Sequence, residues 1–194
     1  QAVDAAWCRQ NVAGMASDGQ RRWYSEPLAY PGRVFIFGGG HVSQALVPVL
    51  ASIGFSCTVV DDRAEFADPA LFPQAEAVYE ADYEALPADL GVTPDDYVCI
   101  MTRGHVGDYD VQRQMLAIKP YYLGVIGSRR KLAFVKEKLL ADGFTAAEID
   151  ACHAPIGLAI SAVTPAEIAI SIAAELIAIR AKREGREKSR YHKP

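Results

Sequence analysis

One stretch decides the fold of this chain: Val34–Ser43, which reads VFIFGGGHVS. Its apolar part begins beside Arg33 and is continuous rather than alternating, which predicts a strand buried on both faces. Apolar residues at helical spacing then run from Val42 to Ile53, and Gly54 is placed to end that helix. Three consecutive glycines therefore lie where a strand turns into a helix.

The alternation of strand and helix continues along the chain. Four further strands are predicted at FSCTVVDD, EAVYE, DYVCIM and YYLGVIG, and a short sixth one just before HAPIGL. The last helix begins with a capping box in which Thr164 is the N-cap, Pro165 the first helical residue and Glu167 the partner. This order predicts a Rossmann-like α/β fold, with a doubly wound, mainly parallel sheet and helices on both faces. Ligands of such sheets bind beyond the carboxyl ends of the strands.

Three segments are predicted along the chain. Residues 1–30 show no sustained period and predict a linker or the remnant of a missing N-terminal region, with a candidate short strand at RRWYSEPL. Residues 31–183 predict one Rossmann-type domain that binds a nucleotide or cofactor. Residues 184–194 predict a polar, solvated tail.

Composition and charge argue against several function classes. A net charge of -4 gives no reason to expect nucleic-acid binding. The chain has neither a signal-peptide pattern at its start nor an apolar run of about 18 residues, so no membrane contact is expected. In a protein that we expect to be cytoplasmic, four cysteines without a CxxC pair predict reduced, structural thiols. Cys152 beside His153 could bind a metal or react, but two adjacent residues do not make a site, so no metal site is predicted. The final helix is apolar on most of its circumference, which predicts cover by the sheet or by a second copy of the chain in a homodimer.

The glycine turn carries a phosphate-binding pattern. Gly38, Gly40 and Ser43 occupy the positions of a GxGxxG/A fingerprint. The first permits the tight turn, the second lets a phosphate approach the backbone, and the third is small enough for helix packing. An acidic pair, Asp61 and Asp62, follows at the end of the second strand, where such folds hold a ribose.

Which nucleotide binds stays open at this point. Asp61 is expected to accept hydrogen bonds from ribose hydroxyls and to repel a 2′-phosphate, whereas Arg63 would attract one. His41, just inside the turn, is either a surface ring or a donor that faces the phosphate or the substrate.

Further polar clusters follow the fourth, fifth and sixth predicted strands, in TRGHVGD, GSRRK and HAPIGL. Solvated turns would explain each cluster alone, but together at one sheet edge they predict an anion-binding rim. His105 and Asp108 predict either a general base with its orienting carboxylate or a hydrogen-bonded pair that shapes the loop. The rim side chains are Arg103, His105, Asp108, Ser128, Arg129, Arg130 and Lys131.

Five motifs together resemble a known family. FGGGHVSQAL, VVDDRAEFAD, TRGHVGDYDV, YLGVIGSRRK and PIGLAISAVTPAEIAISIAAELI are similar, in that order, to the Rossmann-type C-terminal domain of the XdhC/CoxI proteins, which are xanthine dehydrogenase accessory factors. The resemblance runs from Arg33 to Arg183. It implies a maturation factor rather than a stand-alone enzyme. Such a factor binds the molybdenum cofactor (molybdopterin), assists its sulfuration with a sulfur donor protein, and delivers it to an apo molybdenum hydroxylase of the xanthine dehydrogenase type.

Two departures from the family pattern and two alternative functions accompany this resemblance. Residues 1–30 lack the glycine- and cysteine-containing motif of the family's N-terminal domain, and GGGH stands where GAGH is common.

The alternatives are an NAD(P)-dependent oxidoreductase, with His105 and Asp108 as catalytic residues, and a protein-interaction module with a vestigial nucleotide site. The candidate cofactor-binding residues are Gly38, Gly39, Gly40, His41, Val42, Asp61, Asp62, Arg63, Thr102, Arg103, Gly104, Gly127, Ser128, Arg129, Arg130, Lys131, Pro155 and Gly157.

Overall fold

The computed structural model describes residues 14–17, 19–25 and 32–185. The predictions for Cys8 and for the polar residues 186–194 lie outside this part of the chain. In the part that is described, no helix is both long enough and apolar enough to cross a membrane.

The chain forms two compact units, residues 1–30 with 177–194 and residues 31–176. In the first unit, β1 (Gly14–Ser17) and β2 (Arg22–Ser25) form an antiparallel hairpin. β2 lies within the candidate strand RRWYSEPL, whereas β1 was not predicted because its four residues carry no readable alternation.

Five parallel strands form the sheet of the second unit, in the order β5-β4-β3-β6-β7. The central strand is the one that the glycine turn follows. This order confirms the predicted Rossmann-like α/β fold. The strands are β3 (Arg33–Phe37), β4 (Ser56–Asp61), β5 (Ala77–Glu80), β6 (Tyr97–Ile100) and β7 (Tyr122–Val125).

Helices connect and follow these strands as the periodicity predicts, with one addition. The short α4 was not predicted, although a capping box between Thr145 and Glu148 begins it. Pro48 lies inside the first helix, which nevertheless continues beyond it. The helices are α1 (His41–Ser52), α2 (His105–Ile118), α3 (Arg129–Ala141), α4 (Ala146–Asp150) and α5 (Pro165–Arg183).

The predicted sixth strand is reduced to a single bridge. His153 pairs with Gly124 in parallel, and its amide donates to the Leu123 carbonyl at 2.8 Å. The amide of Ile156 then donates to the Val125 carbonyl at 2.9 Å. The chain thus runs beside β7 for only a few residues around Pro155, too few to form a full strand.

The strands β3, β6 and β7 are buried on both faces, as their continuous apolar runs predict, whereas the edge strand β5 is partly or fully exposed. In β6 and β7 every residue is buried, and in β3 only Arg33 is partly exposed. Cys57 and Cys99 are free, fully buried thiols in this core. Burial raises the pKa of Cys57 to about 12, so this thiol stays protonated and structural.

Parallel strands place their carboxyl ends at one edge of the sheet. We call this the carboxyl edge, formed by the segments 38–40, 61–63, 102–104 and 127–130. The opposite side, where β3 and β6 begin, is the amino edge. The strand order places the 38–40 turn between the segment that follows β4 and the segments that follow β6 and β7.

Candidate functional site

The first two glycines of the turn are required by the backbone around them. Gly38 has a φ of +111°, and a Cβ added there would lie 2.3 Å from the Met101 carbonyl oxygen. A Cβ on Gly39 would lie 2.2 Å from the Phe66 carbonyl oxygen. Both contacts are far shorter than van der Waals distance, so neighbouring loops pack directly against the turn.

Gly40 is different, because a Cβ added there would meet no atom of the described residues within 4 Å. Its backbone is extended, with a φ of -69°, so no left-handed conformation requires a glycine. Gly40 is the N-cap of α1, so this space lies at the helix start, where a ligand phosphate would approach the backbone in a GxGxxG-type turn.

The start of α1 presents its positive end without side-chain neutralisation. Gly40 is the N-cap and supplies no side-chain cap, and no acidic residue lies in the first turn. His41 is exposed at the first helical position. Ser43 is buried and donates its hydroxyl hydrogen to the Gly38 carbonyl, while Gln44 Nε2 donates to the Gly39 carbonyl at 3.0 Å. These side chains therefore stabilise the turn without capping the start of α1, where the helix dipole would favour an anion.

Asp61 ends β4 with its carboxylate completely buried. Its Oδ2 accepts hydrogen bonds from the Gly39 amide at 2.7 Å and from Arg63 Nη2 at 3.0 Å. Its Oδ1 accepts from the Arg63 amide at 3.0 Å and from Arg63 Nε at 2.9 Å. Asp61 thereby joins the glycine turn to the segment after β4.

Arg63 is held on three sides. Its edge binds Asp61, and its guanidinium carbon lies 3.8 Å from the centre of the Phe66 ring. Asp62 is the third contact, with Oδ1 at 3.5 Å from Arg63 Nε. Burial and the neighbouring Asp61 raise the pKa of Asp62. Phe66 was missed from the sequence, where its only signal is an aromatic ring in an otherwise polar loop.

A second buried carboxylate joins the segments that follow β6 and β7. Asp108 accepts a hydrogen bond from Thr102 Oγ1 at 2.7 Å and forms an ion pair with Lys131 Nζ at 2.9 Å. The His105 ring instead packs edge-on against Phe134, with 4.7 Å between ring centres. The predicted His105–Asp108 pair is therefore corrected: the carboxylate of Asp108 is bonded to Thr102 and Lys131. Burial raises the pKa of Asp108, although both partners oppose this shift.

Cationic side chains also follow β6 and β7 at this edge. Arg103, Arg129 and Arg130 are exposed. Ser128 is the N-cap of α3, and its hydroxyl accepts a hydrogen bond from the Lys131 amide at 3.4 Å. The structure thus brings the candidates after β3, β4, β6 and β7 to one edge, as parallel strands require.

In the last predicted cluster, Gly157 is held by α5, whereas Pro155 is exposed. The amide of Gly157 donates to Glu175 Oε2 at 2.8 Å, and a Cβ on Gly157 would lie 2.5 Å from Ser171 Oγ. Glu175 also accepts from the Tyr122 hydroxyl at 2.5 Å and lies 2.9 Å from His153 Nδ1. Sequence reasoning missed Glu175, whose signal is a single acid within the apolar run of the last helix.

A family comparison and a structural comparison bear on this arrangement. Residues 34–176 match the family described as "XdhC Rossmann domain". The crystal structure of a xanthine dehydrogenase from Bacillus halodurans superposes with a TM-score of 0.66 at 29% identity, over 91% of this chain and 50% of that one.

Two bacterial proteins are similar in sequence. "Uncharacterized protein YqeB" of Escherichia coli (strain K12) is 33% identical over 149 residues, which cover 76% of this chain and 27% of that protein. A probable xanthine dehydrogenase component of Bacillus subtilis (strain 168) is 28% identical over 148 residues, or 76% of this chain and 43% of that protein. The chain therefore spans half or less of the length of each of these relatives. The family match confirms the resemblance seen in the motifs: this chain belongs to the XdhC family and carries its Rossmann domain.

Proposed function

We propose that this domain binds the molybdenum cofactor, or a related nucleotide, through its phosphate at the glycine turn. The observation that carries the proposal is the open space at Gly40 beside the uncapped start of α1. Backbone amides and the helix dipole favour an anion at such a position. Exposed arginines after β6 and β7 add positive charge at the same edge.

The family supports the biological context of this binding. Two of the relatives carry xanthine dehydrogenase in their names. We propose that the chain acts as an accessory factor that passes its ligand to a molybdenum hydroxylase of that type. Assistance in sulfuration, a sulfur donor protein, a homodimer and a cytoplasmic location remain predictions from the resemblance and the sequence.

An NAD(P)-dependent oxidoreductase receives less support from the site. In that function His105 would transfer the proton and Asp108 would orient its ring. The Asp108 carboxylate is instead bonded to Thr102 and Lys131. The His105 ring packs against an aromatic side chain. The accessory-factor proposal needs only the phosphate-binding turn and its cationic surroundings.

The test is calorimetric titration of isolated molybdenum cofactor, NAD and NADP into the wild type and Gly40→Ala, with native mass spectrometry to identify any ligand that copurifies. The added methyl group enters the space assigned to the phosphate, so affinity should fall by about tenfold or more. Folding should be unchanged, because the Cβ meets no atom within 4 Å in the part of the chain that the structure describes.

The matched control is Ser52→Ala at the opposite end of α1, which should bind as the wild type does. Equal affinity of Gly40→Ala and the wild type for whichever ligand binds would contradict a phosphate site at the turn. Binding of NAD or NADP, with no binding of the molybdenum cofactor, would favour the oxidoreductase instead.

A further inference from the structure

Asp61 has no acceptor capacity left for a ribose. A carboxylate offers about four lone-pair positions. All four are used, by the Gly39 amide and by three donors of Arg63, at 2.7–3.0 Å. Because the carboxylate is also fully buried, a ligand at this position would meet Arg63 rather than Asp61.

The charge of Arg63 is already balanced by its neighbours. Asp61 binds it through two parallel hydrogen bonds, and Asp62 lies 3.5 Å from its Nε. Two carboxylates and one guanidinium give this group a net negative charge when all are ionised. A further phosphate beside Arg63 would be repelled, so Arg63 is a poor receptor for an anion despite its charge.

The geometry of Arg63 suits another kind of contact. A guanidinium is planar, and here its edge lies on Asp61 while one face packs on the Phe66 ring. The side chain is still 23% exposed. Phe66 is itself fixed, because its amide donates to the Arg63 carbonyl at 3.0 Å and its carbonyl packs against Gly39. Part of a planar cation that Asp61 and Phe66 hold in place is thus exposed, next to the phosphate-binding turn to which Asp61 joins it.

We propose that Arg63 is the platform on which the nucleobase of a bound nucleotide stacks, and that the adjoining ribose carries no 2′-phosphate. This inference rests on the proposed function, because it names the second group of the ligand whose phosphate the glycine turn binds. Guanidinium groups stack well on planar aromatic rings, and pre-organisation lowers the entropy cost of that contact. Arg63 is therefore a specificity-determining residue, and Asp61 and Phe66 position it.

The experiment titrates three probes by calorimetry: ribose 5-phosphate, AMP, which adds the base, and adenosine 2′,5′-bisphosphate, which adds the second phosphate. In the wild type, AMP should bind about tenfold more tightly than ribose 5-phosphate. The bisphosphate should bind more weakly than AMP. Arg63→Lys keeps the charge but removes the planar face, so the AMP preference should fall towards one while the affinity for ribose 5-phosphate is retained.

Two further variants separate stacking from folding. Phe66→Leu removes the support below Arg63 without touching its charge, and it should lower the AMP preference by a smaller factor. Arg33→Lys is the matched control, because Arg33 forms an equivalent two-bond pair with Asp96 at the amino edge. That control should retain the full preference for AMP.

Each outcome decides between the proposals. A folded Arg63→Lys protein that keeps the wild-type preference for AMP would overturn the stacking role of Arg63. Tighter binding of the bisphosphate than of AMP would overturn the exclusion of a 2′-phosphate. Failure of the wild type to bind even ribose 5-phosphate would count against the phosphate-binding turn itself, and this result is distinct from the other two.

Discussion

Two arginine–aspartate pairs of the same chemistry lie at opposite edges of the sheet. At the amino edge, Arg33 binds Asp96 through Nε at 2.9 Å and Nη2 at 2.7 Å. At the carboxyl edge, Arg63 binds Asp61 through the same two nitrogens at 2.9 and 3.0 Å. Each guanidinium also lies near a phenylalanine ring. The difference between them is what else each aspartate binds.

Asp96 accepts its other hydrogen bonds from the amide and hydroxyl of Thr93, so it closes a loop of its own segment. Asp61 accepts from Gly39 in the glycine turn, which is 22 residues away in sequence. The amino-edge pair therefore stabilises a connection, whereas the carboxyl-edge pair fixes the two segments where a ligand is proposed to bind. We infer that the carboxyl-edge pair would contribute to binding through the glycine turn that Asp61 holds, as well as through the Arg63 side chain itself.

The largest loss of stability is expected from Gly38→Ala, which disturbs the packing at the carboxyl edge and leaves the amino edge unchanged. The substitution forces a non-glycine residue to a φ of +111° and places its Cβ 2.3 Å from a backbone oxygen, which cannot move without the start of the 102–104 segment. The free energy of unfolding should fall by about 3 kcal/mol or more, measured by urea denaturation. A loss below about 1 kcal/mol would show that the Met101 backbone gives way easily.

The next largest loss of stability is expected from Arg63→Met, which is compared with Arg33→Met at the amino edge. Asp61 is fully buried, so removal of its cation leaves a charge that water cannot solvate, at a cost of about 3 kcal/mol. Asp96 is also buried, with 3% exposed, and each aspartate keeps two other donors, so Arg33→Met should lose nearly as much, about 2–3 kcal/mol. The loss should be slightly smaller at the amino edge, because Arg33 is 33% exposed and Arg63 is 23% exposed. Urea denaturation of both proteins at one pH measures the difference. A clearly larger loss from Arg33→Met than from Arg63→Met would contradict the greater burial of the carboxyl-edge pair.

The fold follows from the sequence because its signals are local. Continuous apolar runs such as the one from Val34 to Phe37 identify buried parallel strands, and the Thr164–Glu167 capping box identifies the start of α5. The position of the glycine turn follows from the strand that precedes it and the helix that follows. One local signal, the capping box at Thr145, was missed because α4 has only five residues.

The hydrogen bonds and ion pairs of the site were less predictable from the sequence, because several of them join residues that are distant along the chain. Lys131 is the partner of Asp108 from another helix, and no pattern in the sequence distinguishes it from Arg129 or Arg130 as that partner. The saturation of Asp61 depends on how the chain turns after β4, which brings Arg63 back onto the carboxylate. Residue type and spacing indicated an acid at a ribose position, but not whether its lone pairs would be available.

A smaller change in stability, which depends on pH, is expected from Asp108→Asn at the other buried acid of the carboxyl edge. Burial raises the pKa of Asp108, so the folded state holds this proton more tightly than the unfolded chain does. Its contribution to stability is present below the unfolded pKa of about 4 and is lost as pH rises through the folded pKa. The unfolding free energy of the wild type minus that of the variant should therefore be larger at about pH 4 than at about pH 7.

Glu167→Gln is the control of opposite sign. Hydrogen bonds from the Thr164 and Val163 amides lower the pKa of Glu167, so its contribution is present above the unfolded pKa and is lost as pH falls. The corresponding difference should be smaller at low pH. The same trend for both variants would show that the pH dependence arises elsewhere in the protein.

The smallest effect is expected from Gly91→Ala at the amino edge, and it sharpens the contrast with Gly38. Gly91 also has a positive φ, of +65°, but the nearest atom to an added Cβ is the Asp89 carbonyl oxygen at 3.6 Å, an ordinary contact. Only the backbone strain remains, so urea denaturation should show a loss of about 1 kcal/mol. Gly91→Asn should recover part of this loss, because asparagine tolerates the left-handed region. Gly38→Asn should recover none, because the clash with Met101 arises at the Cβ that both residues share. Recovery at both positions would mean that φ alone distinguishes these glycines, and that the close packing of the carboxyl edge contributes nothing to the requirement for Gly38.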